Sequence, residues 1–407
     1  MSVRFLLCFF CAFLSFSGAR AQVALPGLDK EVKAFMKRWH IPGGSLALVK
    51  DGHLLYTQAY GQADADIPAQ PYHLFRIASL SKPITALAIL KLQEQGKLKL
   101  ADKVFGPKGI LNTPEYAFTD ERVKKITVRH LLQHRGGWNR DTNIHGDPMF
   151  NAVYIARMMR VPAPADAKTI IRYVLSKPLD FSPGKKFAYS NLGYTILGRV
   201  IEQLSGLSYE QYVQENILRP AGITDMRLAR NYYYDKIPDE VKYYEEADSL
   251  PMPDIKDEEH LVPWPYGGFN IEAMDAHGGW VASAPDLAKL LAAIDGLGNK
   301  PDILSLDELA QMFNPGGHKR TYALGWMVNR YGGAWHTGSL PGSSTLMARL
   351  PDGAAWVVLF NGRHDSPSYF SELDGLMWRA LHRVRNLPSQ DLFNSPIVAH
   401  KTEVETN

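Results

Sequence analysis

The chain has 407 residues, with 45 Lys plus Arg against 42 Asp plus Glu and a formal net charge of +3. Hydrophobic residues make up 45% and charged residues 21%, a globular balance that excludes wholesale disorder. The near-equal charges leave no basic stripe, which argues against a nucleic-acid partner.

The N-terminus opens with Met1-Ser-Val-Arg4, an apolar run over residues 5–16, and the small-residue triplet Ala19-Arg20-Ala21. This pattern reads as a secretory signal peptide over residues 1–21, cut before Gln22. The apolar run is too short to cross a bilayer comfortably, so no stable membrane span is expected in the mature chain. Cys8 and Cys11, the two cysteines of the sequence, would leave with this leader. A mature chain without cysteine has no disulfide framework, no thiol nucleophile and no thiolate metal site. Loss of Arg4 and Arg20 would take the net charge to +1. The expectation is an exported protein, periplasmic or secreted.

Residues 44–50 (GSLALVK) and 53–60 (HLLYTQAY) read as strands joined by an Asp51-Gly52 hairpin turn. Helices are expected over residues 80–95, 128–133, 168–176, 191–205 and 285–294, with Gly96 and Gly206 as stops. Residues 235–260 are rich in Asp, Glu and Pro and read as a solvated surface excursion, with a lid beside a cleft as the functional alternative. Residues 345–350 and 355–360 form a second predicted hairpin around Asp352-Gly353, preceded by a strand at 335–337. A C-terminal helix follows over 369–384, and the chain from about residue 386 reads as a poorly ordered tail. Strand-rich ends around a helical middle argue for one two-lobed unit over residues 22–390. Its sheet lobe would comprise about 22–78 and 270–390, its helical lobe about 79–269, with 391–407 as a tail.

The chemistry-bearing residues fall in three places. Ser79-Leu-Ser-Lys82 precedes a stretch that is apolar nearly all round, from Ile84 to Leu92, as in a buried helix. Free N–H groups at a helix start can stabilise an oxyanion, and a buried lysine gives up its proton readily. Lys82 can therefore accept the Ser79 proton and leave an activated nucleophile. A second S-x-x-K, Ser182-Pro-Gly-Lys185, lies in a Pro-Gly turn and reads as a loop. Tyr189-Ser190-Asn191 stands at the mouth of the next helix. A tyrosinate stabilised by a nearby ammonium can shuttle a proton there between nucleophile and leaving group, and an Asn amide can hold a lysine or a substrate carbonyl; the bland reading is a buried tyrosine and an Asn cap. His336-Thr337-Gly338-Ser339 sits on a strand edge where a substrate backbone can add and glycine permits close approach.

The ordered set S-x-x-K, Y-S-N and H-T-G resembles the penicillin-recognising serine hydrolases, in the branch of the class C β-lactamases. The stretches ITVRHLLQHRGG (126–137), PGKKFAYSNLGY (183–194), GGWVASAPD (278–286) and LGW (324–326) add to the resemblance, which spans about residues 28–382. It implies an α/β fold of the α+β type: a mostly antiparallel sheet flanked by helices plus a helical lobe, with the cleft between. It implies Ser79 as the acyl-accepting nucleophile, with Lys82 and Tyr189 sharing acid and base work. Asn191 would orient Lys82 or the substrate. His336, Thr337 and Gly338 would line the cleft, and the backbone N–H groups of Ser79 and Ser339 would form the oxyanion hole. No metal and no cofactor are required.

The third motif departs from the Lys-Thr-Gly of class C β-lactamases. An unperturbed histidine is mostly uncharged near neutral pH, which weakens the fixed charge facing a drug carboxylate. His-Thr-Gly is similar instead to class C-like (family VIII) carboxylesterases, D-Ala-D-Ala carboxypeptidases and D-aminopeptidases. The leading expectation is hydrolysis of esters or related acyl bonds. The alternatives are a D-amino-acid peptidase and, behind it, a β-lactamase. Substrates would be small esters, peptides or cell-wall-derived molecules. Two remoter rivals are a silent binding relative and a metal hydrolase using His130 and His134, which stand at i, i+4 without the Glu of H-E-x-x-H. No G-x-S-x-G elbow occurs; Gly43-Gly-Ser45-Leu-Ala47 comes nearest. Tyr243, Tyr244, Trp264 and Tyr266 read as packing rather than cleft residues, and Arg76, Asp275 and Asp286 as structural.

Overall fold

The computed structural model describes residues 22–142, 144–246, 248–317, 322–384 and 386–398. The expected leader, residues 1–21, lies outside the described residues. The strands are β1 (Gly43–Lys50), β2 (His53–Asp64), β3 (Ile67–Pro68), β4 (Phe75–Arg76), β5 (Arg227–Leu228), β6 (Met252–Pro253), β7 (Leu261–Val262), β8 (Trp280–Ala282), β9 (Met327–Val328), β10 (Ala334–Leu340), β11 (Ser343–Arg349) and β12 (Ala354–Phe360). The helices are α1 (Pro26–Arg38), α2 (Ser81–Glu94), α3 (Val128–Leu132), α4 (Ala152–Met159), α5 (Ala167–Leu175), α6 (Asn191–Ser205), α7 (Tyr209–Val213), α8 (Asp275–Gly278), α9 (Ala284–Ala292), α10 (Leu306–Met312) and α11 (Pro367–Leu381).

The main sheet is antiparallel, in the order β3-β2-β1-β12-β11-β10-β9. Its first hairpin turns where both Asp51 (φ 52°) and Gly52 (φ 74°) are left-handed, the backbone that matches strand twist. Both sheet faces are buried, each by a different set of alternating residues. Leu46, Leu48, Trp356, Val358 and Phe360 pack against α1 and α11. Ala47, Val49, Val357 and Leu359 join the larger core that includes α9 and α2. Helix α1, not expected from the sequence, presents Leu28, Val32, Phe35 and Met36 to the sheet. The α+β layout, a flanked antiparallel sheet with a helical lobe, agrees with expectation.

α8 packs on α2 and α6, whereas α9 lies on β1, β2 and β12. Two expectations are corrected. Within the acidic excursion, residues 240–243 are not solvated. Val241 N donates to Leu74 O (3.0 Å), Lys242 N to Ala63 O (2.7 Å) and Tyr244 N to Asn361 O (3.0 Å). Glu240 is buried against Arg76 (3.3 Å), whose guanidinium also lies over the Tyr243 and Tyr266 rings. Desolvated partners of opposite charge settle that segment inside the protein. The start of the expected tail is also held to the sheet, through Asp391 and Leu392. Leu392 is buried, its N–H donates to Leu54 O (2.8 Å), and Asp391 Oδ1 accepts from Leu54 N (3.1 Å). Among the described residues, no helix is long and apolar enough to cross a membrane.

Candidate active site

Ser79 lies in a 3₁₀ turn, Ala78–Leu80, that runs directly into α2. Every residue of α2 from Ser81 to Leu90 is buried, so Lys82 is carried one turn on into a dry interior. Its Nζ lies 2.9 Å from Ser79 Oγ and donates to His277 O at 2.9 Å. Burial pushes the Lys82 amine well below its ordinary range; Asp147 opposes this and Arg140 adds to it.

The turn holding Ser79 is strained. Ala78 has φ 51°, a left-handed backbone that residues with a Cβ rarely adopt. Its surroundings over-determine it. Ile77 N donates to Trp280 O (3.0 Å), Ser343 Oγ donates to Arg76 O (2.6 Å) and Thr345 Oγ1 to Ile77 O (3.0 Å). Gly338 lets β10 come this close. A Cβ there would collide with Thr345 Oγ1 and with the Ile77 carbonyl.

Tyr189 Oη donates to Ser79 Oγ at 3.0 Å, and its ring packs on His134 (centroids 4.2 Å apart) beneath the Arg140 guanidinium. Burial drives the Tyr189 phenol above its ordinary value, with the Ser79 hydrogen bond and Arg140 opposing. The two hydrogen bonds to Ser79 Oγ, from Lys82 Nζ and Tyr189 Oη, set an amine whose proton is loosened by burial and a phenol whose proton is held by burial on either side of one oxygen.

Asn191 opens α6 but does not cap it; Ser190 does, its Oγ accepting from Gly193 N at 3.1 Å. Nor does it reach Lys82: its Nδ2 donates to Asp147 Oδ2 at 2.8 Å. His336 is buried in β10, between Tyr322 Oη on Nε2 (3.0 Å) and Thr337 O on Nδ1 (2.6 Å). Burial, and then Lys82, lower its pKa from 6.5 to about 3. It is therefore an uncharged wall. β9 pairs with Ala334 and Trp335, and among the described residues the rest of that edge of β10 has no strand neighbour.

Ser79, Tyr189, Asn191, His336, Thr337, Gly338 and Ser339 line one cleft of about 830 Å³, and Lys82 lies directly beneath Ser79. Arg140, Phe150, Phe187, Tyr322 and the His277–Gly278 turn line it as well and were not foreseen. Phe187 lies within the PGKKFAYSNLGY stretch, Gly278 opens GGWVASAPD and Tyr322 precedes Leu324-Gly-Trp326, whereas Arg140 and Phe150 lie outside the quoted stretches. Tyr243, Tyr244, Trp264 and Tyr266 are not among its lining residues. Ser182 sits in a turn with Gly184 at φ 79°. The His130–His134 pair is not a metal face. α3 ends at Leu132, His130 closes a capping box with Thr127, and His134, left-handed at φ 54°, accepts from Ser190 N (3.1 Å).

A family model described as beta-lactamase matches residues 28–375. Penicillin-binding protein 4* of Bacillus subtilis (strain 168) is 25% identical over 349 residues, covering 81% of this chain and 70% of that protein. Of seven further curated relatives, named protein flp and from Staphylococcus aureus, the chain spans 37 to 39%. The octameric penicillin-binding protein homologue from Pyrococcus abyssi superposes with a TM-score of 0.65 at 26% identity, over 88% of this chain and 78% of that one. D-amino acid amidase from Ochrobactrum anthropi SV3 shares the fold, with a TM-score of 0.67 at 23% identity over 88% and 97%. With a match across most of its length and relatives that carry the same fold, the chain belongs to the beta-lactamase family, within the penicillin-recognising serine hydrolase superfamily.

Proposed function

We propose that the protein forms an acyl-enzyme on Ser79 and hydrolyses esters or related acyl bonds. One observation carries this reading: Ser79 Oγ lies 2.9 Å from a desolvated amine, Lys82 Nζ, and 3.0 Å from a protonated phenol, Tyr189 Oη. In acylation Lys82 takes the Ser79 proton as Oγ bonds to the substrate carbonyl carbon. The N–H groups of Ser79 and Ser339 receive the oxyanion. As the bond to the leaving group breaks, Tyr189 donates its proton to that group and recovers one from Lys82. A water then repeats the steps, and the acid departs from Oγ. Thr337 and Gly338, on the unpaired edge of β10, take the substrate by strand addition. Residues 22–390, with the Asp391–Leu392 contacts to β2, act as one catalytic unit. The leader-like residues 1–21 support export to the periplasm or beyond.

A second reading, hydrolysis of D-amino-acid amides or peptides, draws on the relatives, penicillin-binding protein 4* and D-amino acid amidase. The neutral His336 in place of a lysine puts a dedicated β-lactamase behind both.

The test is intact mass after a fluorophosphonate and a penicillin in parallel. A single phosphonate adduct is expected, lost in Ser79→Ala and kept in Ser182→Ala. Stable addition of the penicillin as well selects the peptidase reading, and phosphonate labelling alone selects the esterase. Labelling that survives Ser79→Ala removes the assignment.

A further inference from the structure

Trp335 and His336 are neighbours on β10, so their side chains leave opposite faces of the strand. His336 lines the catalytic cleft. Trp335 lines a separate recess of about 100 Å³ against α11, together with Trp356, Trp378 and Asp374. The two cavities share no lining residue. Trp356 and Trp378 meet edge to face, ring centroids 5.0 Å apart and planes at 85°, and so form a corner rather than a stack. Trp378 is 44% exposed on the last long helix, an unusual place for so large an apolar ring. Asp374 stands one turn before it on the same helix face, exposed at the rim. Among the described residues Asp374 makes no hydrogen bond and no ion pair, and burial raises its carboxyl above the ordinary value with no neighbouring cation to oppose this. Arg379, on the same helix, is engaged by Glu372 O (2.9 Å) and Glu31 (4.0 Å). Asn329 also lines the recess, but its Oδ1 already accepts from Tyr331 N (2.9 Å) and Gly333 N (3.0 Å).

We propose that this recess is a binding site for a quaternary ammonium head group, held by Trp335, Trp356 and Trp378 with Asp374 at the rim. The recess offers π surface and one unpaired negative charge, the combination that attracts an organic cation. It does not offer the acceptors that a primary ammonium needs for its three N–H groups, whereas a tetraalkylammonium needs none. Its volume is that of about three waters, enough for one compact head group. The site borders the catalytic cleft without entering it. Phe370, which lines the cleft, is one turn before Asp374 on α11, and Thr337, which also lines it, is two residues beyond Trp335 on β10. The inference does not depend on the acyl-enzyme at Ser79.

The experiment is titration calorimetry of the whole chain with three probes: choline, 3,3-dimethylbutan-1-ol and ethanolamine. The alcohol keeps the shape of choline and replaces its nitrogen by carbon, so the pair differs by the charge alone. Choline is expected to bind about tenfold more tightly than the alcohol, within the range of a cation held by aromatic rings. Ethanolamine, which must leave N–H groups unpaired, is expected to bind more weakly than choline. Trp378→Leu keeps an apolar side chain but removes the π face. It is expected to weaken choline about tenfold and to leave the alcohol unchanged. Asp374→Asn is expected to weaken choline by about two- to fivefold and to reduce the salt dependence of its binding. Both positions are exposed, and an unchanged Tm in each variant confirms that the fold is intact. Choline binding is expected to persist after Ser79 is blocked by a fluorophosphonate. Equal affinity for choline and the alcohol, no detectable choline binding, or binding that neither variant weakens overturns the site. Tighter binding of ethanolamine overturns the quaternary class, and choline binding lost on blocking Ser79 puts the cation in the cleft and overturns the recess. A protein whose Ser79 takes no label refutes the acyl-enzyme alone; the two variants then still decide the recess.

Discussion

Lowering the pH from 8 to 5 is expected to cost the folded protein about 2 kcal/mol through His336 alone. Burial against β10 and Tyr322, with Lys82 nearby, lowers this imidazole from 6.5 to about 3. The unfolded chain regains the ordinary value, so below 6.5 it binds a proton that the folded chain refuses. The contribution is therefore full above 6.5 and is lost as the pH falls toward 3. At pH 5 the gap is about 1.5 pH units, and at about 1.36 kcal/mol per unit it comes to about 2 kcal/mol. His134 and His277 are shifted in the same direction by burial, so the whole protein is expected to lose more than this. The contribution of one residue is isolated by a comparison with His336→Gln, which keeps an acceptor for Tyr322 without a titrating ring. Urea denaturation of both proteins at the two pH values is the assay. The wild type should lose about 2 kcal/mol more than the variant. Equal losses would refute the picture of a buried, neutral imidazole at the third motif.

Three further outcomes are expected. Lys82→Met should slow acylation by about a hundred- to ten-thousandfold, measured by stopped flow with an activated ester. In the wild type the acylation rate should fall only as the pH drops through the lowered Lys82 value, so a break near 10.5 would contradict the desolvated amine. Gly338→Ala should cost about 1–3 kcal/mol by thermal unfolding and a larger share of activity, because the strand must retreat from Ile77 and Ala78. Unchanged turnover in that variant would show that the close approach does not position Ser79.

What is legible in the sequence is what local physics dictates. Asp51-Gly52 announces its hairpin because few other pairs accept two left-handed residues. The helix after Ser79 is legible because a run apolar all round must be buried. Helix α1 could have been found too, since Pro26 stands in the first turn and Leu28, Val32, Phe35 and Met36 keep helical spacing. Asp147, Arg140 and the His277 carbonyl could not. Each acts on a residue 44 or more positions away, and nothing in its own neighbourhood signals the contact. The acidic excursion misleads for the same reason. Composition places Glu240 in water, whereas Arg76, 164 residues earlier, holds it in the core.

The pairing of β1 with β12 also has a consequence in time. β1 lies in the middle of the sheet, and one of its two edges stays open until residues 354–360 have been made. The clamps on the turn before Ser79 arrive equally late, from Ser343 and Thr345, 267 and 268 residues downstream. Such long closures slow folding and delay cooperative structure until the chain is nearly finished. A nascent chain therefore emerges without a formed nucleophile, and the cleft assembles in a single late event. Truncation within the last strands should abolish the reactive serine altogether rather than weaken it by degrees.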